Sequence, residues 1–191
     1  MVDGCLFLRF TAPGSTLRND CRVMGPNREG DALASSQVGL YVAESRGEVR
    51  LQSPDPAIPP VIDFRYFAEE SDRRRMRDAV SLALEIGRHA GLTAFLGGAM
   101  DPLPVDVATG ESLDRWVQGR GRTSHHASST AKIGPASDRE AVVDQVLRVH
   151  GVDHLRVADV SVMPLCVRQN PNMSTVMIGE RAADFVKGVG H

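Results

Sequence analysis

One long amphipathic segment constrains the fold more than any other part of the sequence. Between residues 71 and 91, small and apolar residues recur at helical spacing on one face: Met76, Ala79, Val80, Ala83, Ile86 and Gly87. Ser71 or Asp72 is in position to cap this helix, and Gly91 is in position to end it. Three consecutive arginines occupy 73–75, and we interpret this basic run as a solvated helix face.

Strand patterns precede the helix. Residues 6–10 alternate between apolar and polar, which predicts a strand. Residues 38–42 and 49–51 also alternate, on either side of the turn at 45–47, and this arrangement predicts a hairpin. The stretch 11–36 is rich in Gly, Pro, Asn, Asp and Ser, so we expect a long loop there.

Shorter elements follow the helix. Gly and Pro residues at 97–104 indicate a connector, and Ser112 begins a short helix that carries Leu113, Trp116 and Val117. Short strand pieces are predicted at 142–143, 147–149 and 155–158. An irregular loop follows Pro164, and a last helix runs from about Ser174 to Lys187. The elements together predict a mixed α/β fold of the α+β kind.

Bulk properties exclude several classes of protein. The 191 residues can form one domain or two small ones, and a net charge of −2 with scattered basic residues gives no footprint for nucleic acid. No apolar run reaches the roughly 20 residues of a transmembrane segment. The three cysteines, Cys5, Cys21 and Cys166, are odd in number and lack metal-ligand spacing. We therefore expect a cytoplasmic protein with no metal site.

Two segments hold candidates for chemistry. His125 and His126 are adjacent, which suits an acid or base better than a two-ligand metal site, while a hydrogen-bonded loop histidine is the structural alternative. Asn170-Pro171-Asn172 precedes the last helix, where Asn172 can act as its cap. The same helix start presents a positive dipole end and free backbone N–H groups. The sequence has no Gly-x-Ser-x-Gly and no Gly-x-Gly-x-x-Gly motif.

Four segments resemble the C-terminal region of the glucose-methanol-choline (GMC) family of FAD-dependent oxidoreductases. Residues 47–63 read GEVRLQSPDPAIPPVID, which is similar to the family's G-x-V-x-L-x-S-x-D-P…P-x-I-D stretch. Residues 126–134 read HASSTAKIG, which resembles its H-P-x-G-T-C-x-M-G pattern. Residues 143–164 read VDQVLRVHGVDHLRVADVSVMP, and residues 170–184 read NPNMSTVMIGERAAD. The Asn-Pro-Asn ending is similar to that of choline oxidases.

The resemblance implies an activity and roles for particular residues. It implies oxidation of a small-molecule alcohol (a CH–OH donor), with the proton accepted by His126 and the hydride transferred to flavin N5. Asn170 aligns with the second catalytic position. Five residues align with cofactor-binding positions for FAD: Asp159, Val160, Asn172, Met173 and Ser174. The spacing to Thr130 and Gly134 selects His126 over His125.

The resemblance also implies a division of the chain and a missing partner. Residues 1–120 correspond to a portion of an antiparallel-sheet substrate-binding domain, and residues 121–191 to the returning strands and last helix of the FAD-binding domain. Family members are longer, and their glycine-rich turn for the dinucleotide pyrophosphate has no counterpart here. We therefore expect a C-terminal fragment whose partner is the N-terminal FAD-binding half and which is inactive alone. The alternative is a non-catalytic remnant that does not bind flavin.

Overall fold

A three-stranded antiparallel sheet forms the N-terminal part of the protein in the computed structural model, which describes residues 6–29, 33–96 and 107–188. Its strands are β1 (Leu6–Phe10), β2 (Cys21–Glu29) and β3 (Leu33–Leu40), in the order β1-β2-β3. A second sheet has two strands, β4 (Glu48–Arg50) and β5 (Val61–Asp63). The prediction of a mixed fold with antiparallel strands and helices is confirmed.

Two of the strand-level predictions are wrong. The expected loop at 11–36 contains all of β2 and the first part of β3. Residues 38–40 pair with β2 instead of forming a hairpin with residues 49–51, since β4 pairs with β5. In both cases the sheet partner and burial against a helix decide the structure, and local alternation does not predict either one. The predicted strand at residues 6–10 is confirmed as β1.

Helix α1 (Glu70–Arg88) packs against this sheet, and α2 (Ala90–Leu96) follows it. The predicted apolar face of α1 is buried at Met76, Ala79 and Val80. Helix α3 (Gly110–Arg120) contributes two further residues to the same core, Leu113 and Val117.

The ends of these helices differ in part from prediction. Helix α1 starts after Glu69 with no side-chain cap, so neither Ser71 nor Asp72 caps it, and Gly91 lies inside α2 instead of ending α1. Helix α3 has a capping box, in which the Thr109 side chain accepts from the Ser112 backbone N–H while the Ser112 side chain accepts from the Thr109 backbone N–H. Residues 97–104 and Cys5 lie outside the described residues.

Asp72 fastens the chain before α1 to the first turn of that helix. Its carboxylate accepts hydrogen bonds from the backbone N–H groups of Glu44 at 3.0 Å and Ser45 at 2.8 Å. The Ser45 hydroxyl in turn accepts from the backbone N–H of Glu69 at 3.1 Å. These three bonds fix residues 44 and 45 against the start of α1.

Arg75 does not lie on a solvated face, which corrects the interpretation of the basic run. Its side chain is 2% exposed, and it pairs with Asp20 at 3.2 Å and with Asp72 at 2.5 Å. It also donates to the backbone carbonyls of Tyr41 at 3.4 Å and Val42 at 3.2 Å. This buried ion triad joins α1 to the end of β3 and to the segment before β2, so it belongs to the core of the fold.

Both carboxylates of the triad have a pKa below their ordinary value. Burial by itself raises the pKa of Asp20, but hydrogen bonds from Ser15, Ala12 and Arg75 outweigh that effect. Burial likewise raises the pKa of Asp72, but hydrogen bonds from Ser45, Glu44 and Arg75 outweigh that effect. The native state therefore holds both groups in their charged form.

The buried ion triad makes the free energy of unfolding depend on pH in the acid range. A lowered native pKa stabilises the fold above the unfolded value of 3.8, and this contribution is lost as the pH falls through the native values. We expect the urea midpoint of unfolding to fall steeply below about pH 4. In an Asp20→Asn variant the urea midpoint should fall less steeply with decreasing pH. A wild-type midpoint that stays constant down to pH 3 would contradict the prediction.

The chain divides into two compact units. The first comprises Met1–Gly47 and Asp63–Gly121, and the second comprises Glu48–Ile62 and Arg122–His191. In the second unit, a 3₁₀ turn (Val160–Val162) and helix α4 (Asn172–Lys187) share a core. The buried members of this core are Val143, Leu147, Val162 and Ala182. The strand pieces predicted after residue 140 are present only as single bridges: Ile133 with Val143, Val143 with Val149, and Arg148 with Arg156.

Candidate functional site

His126 lies in an extended loop of the second unit that contains neither helix nor strand. Its side chain is half-buried, and its backbone carbonyl accepts a hydrogen bond from the thiol of Cys166 at 3.4 Å. His125, the alternative candidate, is exposed and has a left-handed backbone with φ 60°. The two histidines therefore differ in burial and in backbone conformation, and the Cys166 contact holds the His126 loop against the segment before α4.

The residues that follow His126 are fixed to the 3₁₀ turn. The backbone N–H of Ala131 donates to the Ser161 carbonyl at 3.0 Å, and that of Ile133 donates to the Val162 carbonyl at 2.9 Å. Gly134 is packed so closely that an added Cβ would lie 2.9 Å from the Cβ of Ala141. A side chain at 134 would force the loop away, so this packing gives a physical reason for the glycine that ends the 126–134 pattern.

An ion cluster closes the turn after this loop. Lys132 Nζ lies 2.8 Å from Asp138 and 3.3 Å from Glu140. The hydrogen bond with Asp138 raises the pKa of Lys132 and lowers that of Asp138. Lys132 therefore serves here to hold the turn.

Asp159 and Val160, which were predicted to lie at the cofactor, form the start of the 3₁₀ turn. The Asp159 carboxylate accepts from the Ser161 backbone N–H at 2.7 Å and so caps the turn. Val160 is half-buried, and its carbonyl accepts from the Met163 backbone N–H. One oxygen of the Asp159 carboxylate is thus used in local structure.

Helix α4 starts without a side-chain cap. Its N-cap is Pro171, whereas Asn172, predicted as the cap, is the first helical residue. The Pro171 carbonyl accepts from the backbone N–H of Thr175 at 2.8 Å and from its hydroxyl at 2.9 Å. The backbone N–H groups of residues 172–174 precede this first helical bond, so helix geometry gives them no acceptor within α4. They form a positive helix end that can receive an electron-rich group.

Asn170 is exposed and lies two residues before α4. Within residues 122–188 of this unit, its side chain and that of His126 form no hydrogen bond with each other. What joins their segments is the thiol of Cys166, four residues before Asn170. Sequence reasoning missed this link, because a contact across 40 residues leaves no local pattern.

The structure brings the predicted site residues into one unit. The His126 loop, the 3₁₀ turn and α4 are tied together by the hydrogen bonds above and by their shared core. Among the described residues, no cluster of three or more His, Cys, Asp or Glu side chains could hold a metal ion. In that same part of the chain, no helix has the length and apolar character needed to cross a bilayer.

The first turns of α4 expose a band of apolar side chains. Met173 is 75% exposed, Val176 52% and Met177 59%. Leu165, on the segment before the helix, is 57% exposed. Large apolar side chains grouped in this way are typical of a surface that contacts another part of a protein or a ligand.

The fold is that of flavoprotein oxidoreductases. A formate oxidase of Aspergillus oryzae, whose structure concerns FAD modification, is 26% identical with a TM-score of 0.76, and the match covers 90% of this chain and 32% of that one. A fungal aryl-alcohol oxidase is 27% identical with a TM-score of 0.73, covering 88% of this chain and 28% of that one. Residues 43–179 match the sequence model of the GMC oxidoreductase family, and the chain belongs to that family.

Curated relatives point to one branch of the family. The oxygen-dependent choline dehydrogenase of Cronobacter sakazakii is 42% identical over 151 residues, which are 79% of this chain and 26% of that protein. The protein of the same name from Staphylococcus xylosus is 38% identical over 152 residues, 79% of this chain and 27% of that protein. The chain therefore spans about a quarter of the length of these relatives, which are oxidoreductases.

Proposed function

We propose that this chain contributes the acid–base residues of an FAD-dependent enzyme that oxidises an alcohol. The observation that carries the proposal is the common anchoring of the His126 loop, the 3₁₀ turn and the uncapped start of α4 on one core, within the segment that matches the GMC family. The names of the relatives support alcohol oxidation, and choline is the substrate class that they favour.

The residues present fit a flavin at the start of α4. The backbone N–H groups of Asn172, Met173 and Ser174 have no acceptor within the helix, and no side chain caps them. An electron-rich ring edge placed there would accept these hydrogen bonds and meet the positive end of the helix dipole. The exposed side chain of Met173 gives an apolar surface beside the same end. Asp159 and Val160 would face the cofactor through their backbone.

His126 is the proton acceptor in this proposal. A hydride leaves an alcohol carbon more easily when the alcohol oxygen carries developing negative charge, so the hydroxyl proton must move to a base. An imidazole can accept that proton near neutral pH. Asn170 can donate a hydrogen bond from its amide to the oxygen and cannot compete for the proton. FAD, when bound, supplies the hydride acceptor.

The part that grips the dinucleotide lies outside these 191 residues in our proposal. No Gly-x-Gly-x-x-Gly turn is present to receive a pyrophosphate. We assign residues 1–120 to the substrate-binding domain and residues 121–191 to the FAD-binding domain. The apolar band on α4 would then be covered by the remainder of the FAD-binding domain, which is the partner that the chain requires.

A comparison of two polypeptides tests this division. We expect the 191-residue chain to show no FAD binding at sub-micromolar affinity, because it has no glycine-rich turn leading into a helix to bind the pyrophosphate. A longer polypeptide that joins an N-terminal FAD-binding half to this chain should bind FAD. Alcohols should then bleach its flavin absorbance in the absence of oxygen. Flavin titration and anaerobic absorbance spectra measure the two results.

The outcomes separate the alternatives. Tight FAD binding by the 191-residue chain alone would refute the proposal that the part that binds the dinucleotide lies outside these residues. FAD binding by the longer polypeptide, with no reduction by any alcohol in a panel that includes choline, would identify a non-catalytic protein. Repeating the assay with oxygen then tells an oxidase from a dehydrogenase, because only an oxidase reoxidises its flavin rapidly in air.

A further inference from the structure

Two arginines lie directly opposite each other on the three-stranded sheet. Arg9 of β1 pairs in register with Arg22 of β2. The neighbours of Arg22 along the strand, Cys21 and Val23, are buried at 0% and 2% exposure, and Cys21 packs with Ala79 of α1. Since side chains alternate along a strand, Arg22 and its partner Arg9 project from the face of the sheet that points away from α1.

Both guanidinium groups lie over one aromatic ring. The Cζ of Arg9 lies 5.3 Å from the ring centroid of Tyr41, and the Cζ of Arg22 lies 5.7 Å from it. Arg9 also lies over Phe7, at 5.4 Å from that centroid. Tyr41 is buried, and its ring is a contact that the two cations share. A guanidinium that lies over an aromatic ring can still donate its N–H groups to other acceptors.

Gly39 makes room for this arrangement. An added Cβ at Gly39 would lie 2.9 Å from Nε of Arg22 and 3.4 Å from its Cγ. Arg22 therefore crosses β3 through the space that any other residue would fill, and this path brings its guanidinium over Tyr41. We call Arg9, Arg22, Gly39 and Tyr41 the arginine face.

The two arginine side chains of the arginine face carry the same charge. Like charges directly opposite across two strands destabilise a sheet. In the described part of the chain, neither Arg9 nor Arg22 forms an ion pair with a carboxylate. Other arginines of the same unit do form such pairs: Arg65, Arg73, Arg75, Arg77 and Arg115. The fold thus places two cations over one ring, and no carboxylate within residues 6–29, 33–96 and 107–188 pairs with them.

We infer that the arginine face binds a small anion that carries a carboxylate or phosphate group. Two guanidinium groups on directly opposite strand positions supply the donors that bind the oxygens of such groups through charge-assisted hydrogen bonds. The anion would also remove the repulsion between the two strands. The inference rests on the first unit alone and does not depend on the proposed alcohol oxidation.

Titration of the 191-residue chain with succinate and with inorganic phosphate, at constant ionic strength, tests the inference. The readout is the Nε–Hε NMR signals of ¹⁵N-labelled arginine. We expect saturable shifts of the Arg9 and Arg22 signals with a dissociation constant on the order of 1 mM. Tetramethylammonium should cause no shift. The tighter of the two anions identifies the chemistry of the natural ligand.

Three variants separate a built site from general positive charge. Arg22→Gln should weaken succinate binding by about tenfold or more, because it removes one of the two cations. Gly39→Val keeps both charges but blocks the path of Arg22, and it should weaken binding to a similar extent. Arg18→Gln, an exposed arginine of the same unit, should leave binding unchanged. Circular dichroism shows whether each variant is folded.

Two results would overturn the inference. The first is an absence of saturable shifts in the folded wild-type chain up to about 50 mM of either anion, a concentration well above the expected dissociation constant. The second is binding that Arg18→Gln and Arg22→Gln weaken equally while Gly39→Val has no effect, since that pattern reports net charge and not an oriented pair.

Discussion

Replacing His126 with Asn in the flavin-loaded enzyme is expected to slow flavin reduction by alcohol about 10²-fold or more. The change removes the proposed proton acceptor and leaves a side chain that can still form hydrogen bonds. The backbone link to Cys166 uses the His126 carbonyl, so the substitution leaves that anchor in place. Stopped-flow absorbance of the flavin without oxygen measures the step directly, free of any effect on reoxidation.

His125→Asn is the matched control. His125 adopts a left-handed backbone, which Asn tolerates better than most residues, so the variant should keep the loop conformation. We expect reduction within about threefold of wild type, because no proton transfer is assigned to this exposed side chain. An unchanged rate in His126→Asn would exclude His126 as the base. A large loss in His125→Asn alone would transfer the role to its neighbour.

Replacing Arg75 with Met is expected to destabilise the first unit by about 3–5 kcal/mol. Methionine retains an unbranched stem of similar length, but it leaves the carboxylates of Asp20 and Asp72 buried without their cation. Urea unfolding measures the loss, and fluorescence of Trp116, the single tryptophan, reports on this unit. The loss should shrink at acid pH, where the two carboxylates become protonated and the unpaired charge disappears.

Arg74→Met is the control on the same helix. The half-buried Arg74 donates through its guanidinium to the Pro13 carbonyl at 2.8 Å in a solvent-exposed hydrogen bond, which water can replace. We expect a loss below about 1 kcal/mol. Equal losses of unfolding free energy in the two variants would show that the ion triad stabilises the fold no more than the exposed hydrogen bond of Arg74 does. A loss in Arg75→Met that is independent of pH would point to packing and not to unpaired charge.

The sequence predicts those elements whose burial has a local period. The apolar face of α1, the strand β1 and the short helix α3 all follow from spacing within the element itself. Strands β2 and β3 do not, because glycine, proline and polar residues interrupt their alternation and only the sheet partners and α1 select the extended form. Arg75 is the same case at one residue, since its two carboxylate partners make a charged side chain part of the core.

In the candidate site, too, the sequence predicts the residues and does not predict the contacts between them. The residues of the His126 pattern and of the last helix are contiguous in sequence, so a resemblance could select them. The contacts that hold them together are not contiguous: Cys166 with His126, and Ile133 with Val162. The Asn172 cap was wrong by one position, because Pro171 already takes helical dihedral angles and α4 starts a residue earlier.

The hydrogen bonds of Ser45 and Asp72 have a consequence for how this protein can change in length. They fix residues 44–45 to the first turn of α1, so both ends of the segment 46–68 are fastened at one place. Residues 48–62, which lie between these ends, belong to the second unit. An insertion within them would therefore leave the anchor at the start of α1 in place, and its cost would fall on the second unit.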